Sequence, residues 1–385
     1  MPRLKLLHLA ELRWYNASAH YALTISRAMS QGGHKVILGL TSSRNLSALT
    51  KGYGNLEILG LAANFQNPLR LLNNSRKIKT LIQKNEIQVV NCHSPLTHIL
   101  AAAVRKVSRQ KFALIRTRGE ARSPKGNLFN RYLYQRLTDH LIVPAEILKQ
   151  GYTSLLGLHP RKLTCVHLGI DCPRSYIPHN SDAKRKELGI APDEKVVGMI
   201  GRLSPIKGHI YFIQAAKILL QRYPQTKFLI AGPDAQVTQE RLKRIACQLG
   251  VIDNFIFLGI VPDLEVLISA LDIGVVCSTG SETICRVLLQ FMAAGKPVVG
   301  TRINGIQDVI EDNQNGFLVH PGDSHQLAEA ISRLFPDSEL REKMGNASRK
   351  LVESRYSLPA FADKTEKLYR QVLAEFPPSI SSIAK

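Results

Sequence analysis

The chain has 385 residues, 44% hydrophobic and 21% charged, which suits two soluble domains of ordinary size. Its net charge of +21 is uneven: residues 1–172 carry 25 basic and 7 acidic side chains, the remainder 26 and 23. No run reaches the roughly 18–20 apolar residues of a membrane span. The opening MPRLKLLHLAEL lacks the apolar core of about 7–15 residues that marks a signal peptide, so a cytoplasmic location is expected. Cys92, Cys165, Cys172, Cys247, Cys277 and Cys285 form no C-x-x-C pair and read as scattered thiols, not a disulfide or metal framework.

Taken in chain order, short apolar runs alternate with helical patterns. The first half gives strands at 4–9, 35–40, 56–60, 87–92, 111–116, 140–144 and 163–168. Their near-continuous Val, Ile and Leu content is that of strands covered on both faces, which predicts a parallel sheet between helical layers. Residues 68–84 set Leu69, Leu72, Ile78, Leu81 and Ile82 beside Arg70, Arg76, Lys77, Lys79 and Lys84. That pattern is a basic amphipathic helix. It either lies on anionic lipid or packs on the core with its charges solvated. Asp171, Pro173, Pro178, Asn180 and Pro192 interrupt the rhythm and place a linker near 171–180. The alternation resumes with strands at 195–201, 227–232, 255–258, 273–277, 297–300 and 316–319. Helices are expected at 208–221, 236–249, 283–294 and 323–335. The fold class is α/β, as two Rossmann-like domains at 1–172 and 173–359 whose parallel sheets face an interdomain cleft. A last helix, about 360–375, heads a segment 360–385 expected to cross back onto the first domain.

Two loops carry the chemistry. Gly201-Arg202-Leu203-Ser204-Pro205-Ile206-Lys207-Gly208 follows a strand and opens a helix. Two cations at a strand end beside a helix N-terminus suit a diphosphate; the alternative is a solvated basic loop. The loop is not a phosphate-binding G-x-x-x-x-G-K-[ST], and no G-x-G-x-x-G occurs, so ordinary NAD binding is disfavoured. Ser278-Thr279-Gly280-Ser281-Glu282 ends the strand at 273–277. Glu282 is either a helix cap or an acceptor for sugar hydroxyls. Gln290, just over two turns on, is expected near the same face. Ala293-Ala294-Gly295-Lys296-Pro297-Val298-Val299 ends a helix and starts a strand.

These pieces, in this order, resemble the retaining glycosyltransferases of family 4, which have the GT-B fold. The family pattern is a G-R-x-x-x-x-K-G loop, a serine-bearing turn closed by a glutamate, a second glutamate eight residues on, and A-x-G-x-P-V-V. The likeness is close over about 195–335 and loose in the first half. It implies that Arg202 and Lys207, with Gly201 at the turn, hold the donor diphosphate, and that Glu282 contacts the transferred sugar. Gln290 stands where the family has the glutamate that grips the ribose, so charge is lost there. Thr283, Ile284 and Cys285 replace a Gly-Phe-Gly, and the amides near Arg286 and Val287 would face the phosphate. Ile260 and Val261 resemble the base pocket. In the first half the family's Gly-Gly loop is replaced by Arg13 to Ser18, so Trp14, Tyr15 and Asn16 become acceptor-side candidates. His93 ends a strand as the family's histidine does, and Arg118 would suit an acidic or phosphorylated acceptor. His93 is alternatively structural, and Trp14 is alternatively a packing lid.

The resulting expectation is a metal-independent, retaining glycosyltransferase that uses a nucleotide-diphosphate sugar and no cofactor. The chain has no Asp-x-Asp, so Arg202, Lys207 and a helix end must neutralise the leaving group. The family implies that the departing phosphate takes the acceptor's proton; a covalent adduct on Glu282 is disfavoured. The basic first half points to an anionic or lipid-linked glycan acceptor, as in lipopolysaccharide core or other surface-glycan synthesis. It also points to peripheral contact with the inner face of the cell membrane. No nucleic-acid motif is present, so nucleic acid is not expected as a partner. The alternatives are a nucleotide-sugar epimerase or hydrolase on the same architecture, and a non-enzymatic protein that binds anionic surfaces. The sugar, base, acceptor, linkage and oligomeric state are not legible.

Overall fold

The computed structural model describes residues 2–11, 17–41, 56–62, 68–120, 122–172, 181–280 and 282–375. Two units separate: Met1–Gly169 with Leu358–Lys385, and Ile170–Ser357.

In the first unit, β1 (Lys5–Glu11), β2 (Lys35–Thr41), β3 (Glu57–Leu61), β4 (Val89–Cys92), β5 (Ala113–Thr117), β6 (His140–Val143) and β7 (Leu163–Cys165) form one sheet. Its order is β3-β2-β1-β4-β5-β6-β7 and every pairing is parallel. Leu7 of β1 lies opposite Ile37 on one side and Val90 on the other. Strand side chains alternate between faces. Leu7 and Leu9 enter a core with Ile78 and Ile82 of helix Pro68–Lys84, Leu100 and Val104 of helix Pro95–Val107, and Tyr152 of helix Ile147–Leu156. His8, between them, meets the other helical layer, Ala17–Gln31 and Leu358–Ala374, through Tyr369. The returning C-terminal helix is held by apolar contact: Phe361 stands edge-on to Tyr21 at 5.1 Å. Phe361 also lies so close over Gly169 that a Cβ there would come within 2.4 Å of it.

In the second unit, β8 (Lys195–Ile200), β9 (Thr226–Ala231), β10 (Phe255–Leu258), β11 (Ile273–Val276), β12 (Val298–Thr301) and β13 (Gly316–Val319) pair in parallel in the order β10-β9-β8-β11-β12-β13. Phe212, Phe228 and Phe255 fill one face with ring contacts at 5.3–6.1 Å. On the opposite face, Phe291 of helix Arg286–Ala293 covers Gly274.

Each unit counts its first six strands in the order 3-2-1-4-5-6, the doubly wound arrangement. The strand order reverses between β1 and β4 and between β8 and β11. At such a reversal neighbouring loops diverge to opposite faces, and the carboxyl ends of the strands leave a crevice.

Some elements depart from expectation. Helix Ser181–Glu187 occupies part of the segment read as a break; residues 173–180 lie outside the described residues. Helix Ser338–Leu351 buries only Met344, Gly345 and Ser348, too thin a stripe to show as periodicity. The helix expected at 283–294 begins later, at Arg286, with Cys285 as its N-cap. Among the described residues, no helix is long and apolar enough to cross a membrane.

Candidate active site

The loops that leave β8 and β11 are neighbours at the reversal of the second sheet, and local geometry locks them together. Gly208 adopts φ +81°, a left-handed conformation open to glycine, and a Cβ there would sit 2.0 Å from the Cys277 carbonyl oxygen. Thr279 N–H donates to the Ile206 carbonyl at 2.8 Å. Gly232, after β9, approaches Gly201 equally closely: its Cβ would lie 2.0 Å from the Gly201 oxygen. A one-turn 3-10 segment, Pro205–Lys207, precedes helix His209–Leu220, and Gly208 caps that helix without any side chain.

This stitching sets Lys207 against Glu282. Lys207 Nζ donates to Glu282 Oε2 in a short ion pair, and Ser278 Oγ donates to the same oxygen at 2.8 Å. Glu282 is 6% exposed. Burial opposes the charged ammonium of Lys207, but Glu282 outweighs it and holds the pKa above its ordinary value. Arg202 is exposed on the same loop, and its positive charge acts against that of Lys207. Among the described residues Arg202 makes no hydrogen bond or ion pair. The site therefore presents one cation held by a carboxylate and one reaching into solvent. Cys285 lies beside the carboxylate, and burial, then Glu282, pushes its thiol up.

Glu282 is not a helix cap, because helix Arg286–Ala293 starts four residues later. The same fact removes the helical-spacing argument linking Glu282 to Gln290; only Gln290 is on the helix. Gln290 is partly exposed, and its Oε1 is buried without a hydrogen-bond partner. Thr283 is buried and Ile284 partly exposed in the loop before the helix. The amides of Arg286 and Val287 open the helix, where N–H groups lack intrahelical acceptors and no side chain caps them. Ile260 is 78% exposed beyond the end of β10, with Val261 beside it partly covered. The backbone of Glu282 is fixed from the next loop: its carbonyl accepts from Gly305 N–H at 2.9 Å.

In the first unit, His93 leaves the end of β4 at that sheet's own reversal. Its imidazole is almost fully buried, and Nε2 lies 3.3 Å from His8 Nδ1. His8 Nε2 is 3.4 Å from the Tyr369 hydroxyl, which accepts from Asn91 Nδ2 at 2.7 Å. Burial lowers His8 to about 3. Burial, then His8 and Arg116, lowers His93 well below the ordinary range. Both rings are neutral at pH 7, so each carries a single N–H. With the Asn91 amide donating to Tyr369, the donors run Asn91, Tyr369, His8, His93. That leaves the His93 Nδ1–H, buried and without an acceptor among the described residues. Sequence reasoning named His93 but not His8 or Tyr369, since residues 361 positions apart leave no local signal.

Arg116 was also missed as a site element. It is fully buried, donating to the Cys92 carbonyl at 2.9 Å and to both oxygens of Glu120 at 3.2 and 3.3 Å. Arg118 is less free than its sequence position suggests: it pairs with Glu120 at 3.4 Å, bonds the Arg122 carbonyl and lies over the Tyr152 ring. Trp14, Tyr15 and Asn16 lie outside the described residues.

Comparison with known proteins agrees with this geometry. Residues 180–351 match the family model for glycosyl transferases group 1, and residues 18–174 the model for Glycosyltransferase Family 4. An uncharacterized glycosyltransferase of Methanocaldococcus jannaschii is 28% identical over 74% of this chain and 76% of its own length. A D-inositol 3-phosphate glycosyltransferase of Corynebacterium urealyticum is 31% identical over 66% of this chain and 62% of its own. Among solved structures, a glycosyltransferase from Rickettsia africae superposes with a TM-score of 0.87 at 20% identity, covering 98% of this chain and all of that one. Anabaena HepE in complex with UDP gives 0.82 at 21% identity, over 96% of this chain and all of its own.

Proposed function

The chain belongs to the group 1 and family 4 glycosyltransferases of GT-B fold, and on that footing we propose that it moves a sugar from a nucleotide-diphosphate donor to a glycan or glycolipid with retained anomeric configuration. The observation that carries this reading is the Lys207–Glu282 pair with Arg202 beside it, built on adjoining loops at a sheet reversal. As the glycosidic bond breaks, charge develops on the diphosphate. In this reading Arg202, Lys207 and the opening amides of helix Arg286–Ala293 stabilise it without a divalent ion. Glu282, already hydrogen-bonded, is suited to accept from a sugar hydroxyl; its engagement with Lys207 and Ser278 speaks against a free nucleophile. The departing phosphate then takes the acceptor's proton. Gln290 hydrogen-bonds the ribose, and Ile260 with Val261 covers the base.

The excess positive charge of residues 1–172 supports an anionic or lipid-linked acceptor and peripheral contact with an anionic membrane, as surface-polysaccharide or lipopolysaccharide-core synthesis requires. HepE in complex with UDP makes a uridine donor the first to try. The test is a thermal-shift screen against UDP-, GDP- and ADP-sugars, followed by turnover with the stabilising donor, with and without a chelator. One donor should raise Tm, because a ligand that binds only the folded state stabilises it. Arg202→Ala should keep the wild-type Tm and lose about 10²–10³ in rate. No shift with any nucleotide sugar, or near-normal turnover of that variant, would overturn the assignment.

A further inference from the structure

Among the described residues of the first unit, nine large apolar side chains stand exposed, and these nine belong to one helical layer. They are Leu69 and Leu72, Ile99 and Val107, Leu128, Phe129 and Tyr132, and Ile147 and Leu155. The helices that bear them, Pro68–Lys84, Pro95–Val107, Leu128–Tyr132 and Ile147–Leu156, cover the sheet face whose core holds Leu7 and Leu9. The exposure peaks on the shortest of them: Leu128 is 84% exposed, Phe129 55% and Tyr132 47%. The segment is firmly seated all the same. Leu133 and Tyr134, next in the chain, are buried in the core, and Asn127 caps the helix by accepting from Asn130 N–H at 2.9 Å. Large apolar groups held outward by a fixed backbone mark a contact surface.

The charge around them is of one sign. Residues 68–85, 95–111 and 122–138 contain no aspartate or glutamate, and Lys106, Arg109, Lys111, Arg122, Lys125, Arg131 and Arg136 are exposed there. Lys106 Nζ lies 5.0 Å from the centre of the Tyr132 ring. The nearby carboxylates are already paired inside the unit: Asp139 with Arg105, Glu146 with Lys149, and Glu120 with Arg116 and Arg118.

We propose that the first unit docks on an anionic phospholipid surface with Leu128, Phe129 and Tyr132 entering the headgroup boundary and the surrounding cations meeting lipid phosphates. An apolar projection ringed by Lys and Arg is the chemistry of an interfacial anchor. A nucleic acid would call for the cations but give aliphatic Leu128 nothing to bind. The proposal moves the centre of the membrane contact: helix Pro68–Lys84, which the sequence suggests, buries Ile78 and Ile82 in the core and adds Leu69, Leu72 and its outer basic side. The segment leaves the carboxyl end of β5, beside the β4 end that bears His93, so a lipid-linked acceptor would enter next to that edge. The inference takes its partner from the membrane contact proposed above and is independent of sugar transfer.

The test is co-sedimentation of the full chain with phosphatidylcholine vesicles containing about a quarter phosphatidylglycerol, against phosphatidylcholine alone. The wild type should sediment with the anionic vesicles. Leu128→Ser with Phe129→Ser should lower that partition at least about tenfold, with unchanged Tm because both side chains are exposed. Phe129→Trp on a Trp14→Phe background, which leaves residue 129 as the one indole, should give fluorescence that brominated phospholipid quenches. Wild-type partition by the double variant, or an unquenched indole on bound vesicles, overturns the proposal. So does a duplex RNA that binds while vesicles do not, or a wild-type dimer that the double variant dissolves. Donor-induced thermal shift of the double variant reads the transferase assignment separately, since Arg202, Lys207 and Glu282 are in the other unit.

Discussion

Lys207→Ala is the sharpest perturbation of the proposed site, because it acts on stability and rate through one pair of atoms. Removing the ammonium leaves Glu282 buried beside a hydroxyl and a thiol, Ser278 and Cys285. Taking one partner from a buried ion pair costs about 3–5 kcal/mol. The Lys207 side chain is 24% exposed and the Ser278 bond survives, so the loss should fall at or just below the bottom of that range, about 2–3 kcal/mol. For a unit of this size that is a fall in Tm of about 5–10 °C. Adding Glu282→Gln removes the stranded charge, and the double variant should recover most of the lost Tm. Turnover behaves differently: Lys207→Ala should lose about 10²–10³, and the double variant should recover none of it. Differential scanning calorimetry of the wild type, Lys207→Ala, Glu282→Gln and the double variant, with initial rates under saturating donor, makes the comparison. Additive losses of Tm in the double variant would show that the two side chains are not coupled as argued. Near-normal turnover of Lys207→Ala would remove it from the mechanism.

Three further outcomes follow from the geometry. Gly208→Ala puts a Cβ on the Cys277 carbonyl in a left-handed conformation, so it should destabilise by at least about 3 kcal/mol in urea unfolding; a loss under 1 kcal/mol would contradict the close approach. Tyr369→Phe deprives Asn91 Nδ2 of its acceptor and His8 of its donor, at about 1–3 kcal/mol. It should also move the ¹⁵N shifts of His93 toward a mixture of tautomers and lower kcat more than it raises KM, whereas unchanged histidine shifts would show that the phenol does not set the ring. Acid should unfold the protein early: His8 and His98 are lowered to about 3, and His140 and His209 to about 4, chiefly by burial. The unfolded chain takes up protons below about pH 6.5 while the folded one does not. Stability is therefore intact above that pH and falls between it and the folded values, by up to about 1.4 kcal/mol per pH unit per group. A urea midpoint equal at pH 7 and pH 5 would deny that these rings stay neutral.

The strands were legible because burial on both faces writes itself into composition. Lys35–Thr41 and Val298–Thr301 are short apolar runs between helical patterns, and a run of that kind reads as a covered parallel strand whatever its neighbours do. Elements with a thin buried stripe were not legible. Helix Ser338–Leu351 is mostly polar, and its clearest local mark is Asp337, whose carboxylate accepts from Leu340 N–H at 2.7 Å. The returning helix was visible as a pattern, but its attachment through Tyr21, Phe361 and Gly169 depends on distant residues meeting, which no window of sequence contains.

The site divides along the same line. Arg202, Lys207 and Glu282 could be named because each sits in a loop whose glycines and length are dictated by strand ends, and such loops keep their spacing in the chain. That Lys207 spends its charge on Glu282 could not be read, since it depends on Gly208 lying against Cys277 and on Thr279 reaching Ile206. The pairing changes the chemistry expected of both groups. An unliganded Lys207 alone would be a mobile cation; paired, it is fixed where the proposed diphosphate would arrive. Arg202, with no partner among the described residues, is then the cation free to move onto the ligand. Binding should therefore proceed with little rearrangement at residue 207 and a large one at residue 202. Glu282 gains by the same contact: a carboxylate whose Oε2 is occupied by Lys207 and Ser278 holds one orientation before any sugar hydroxyl reaches it.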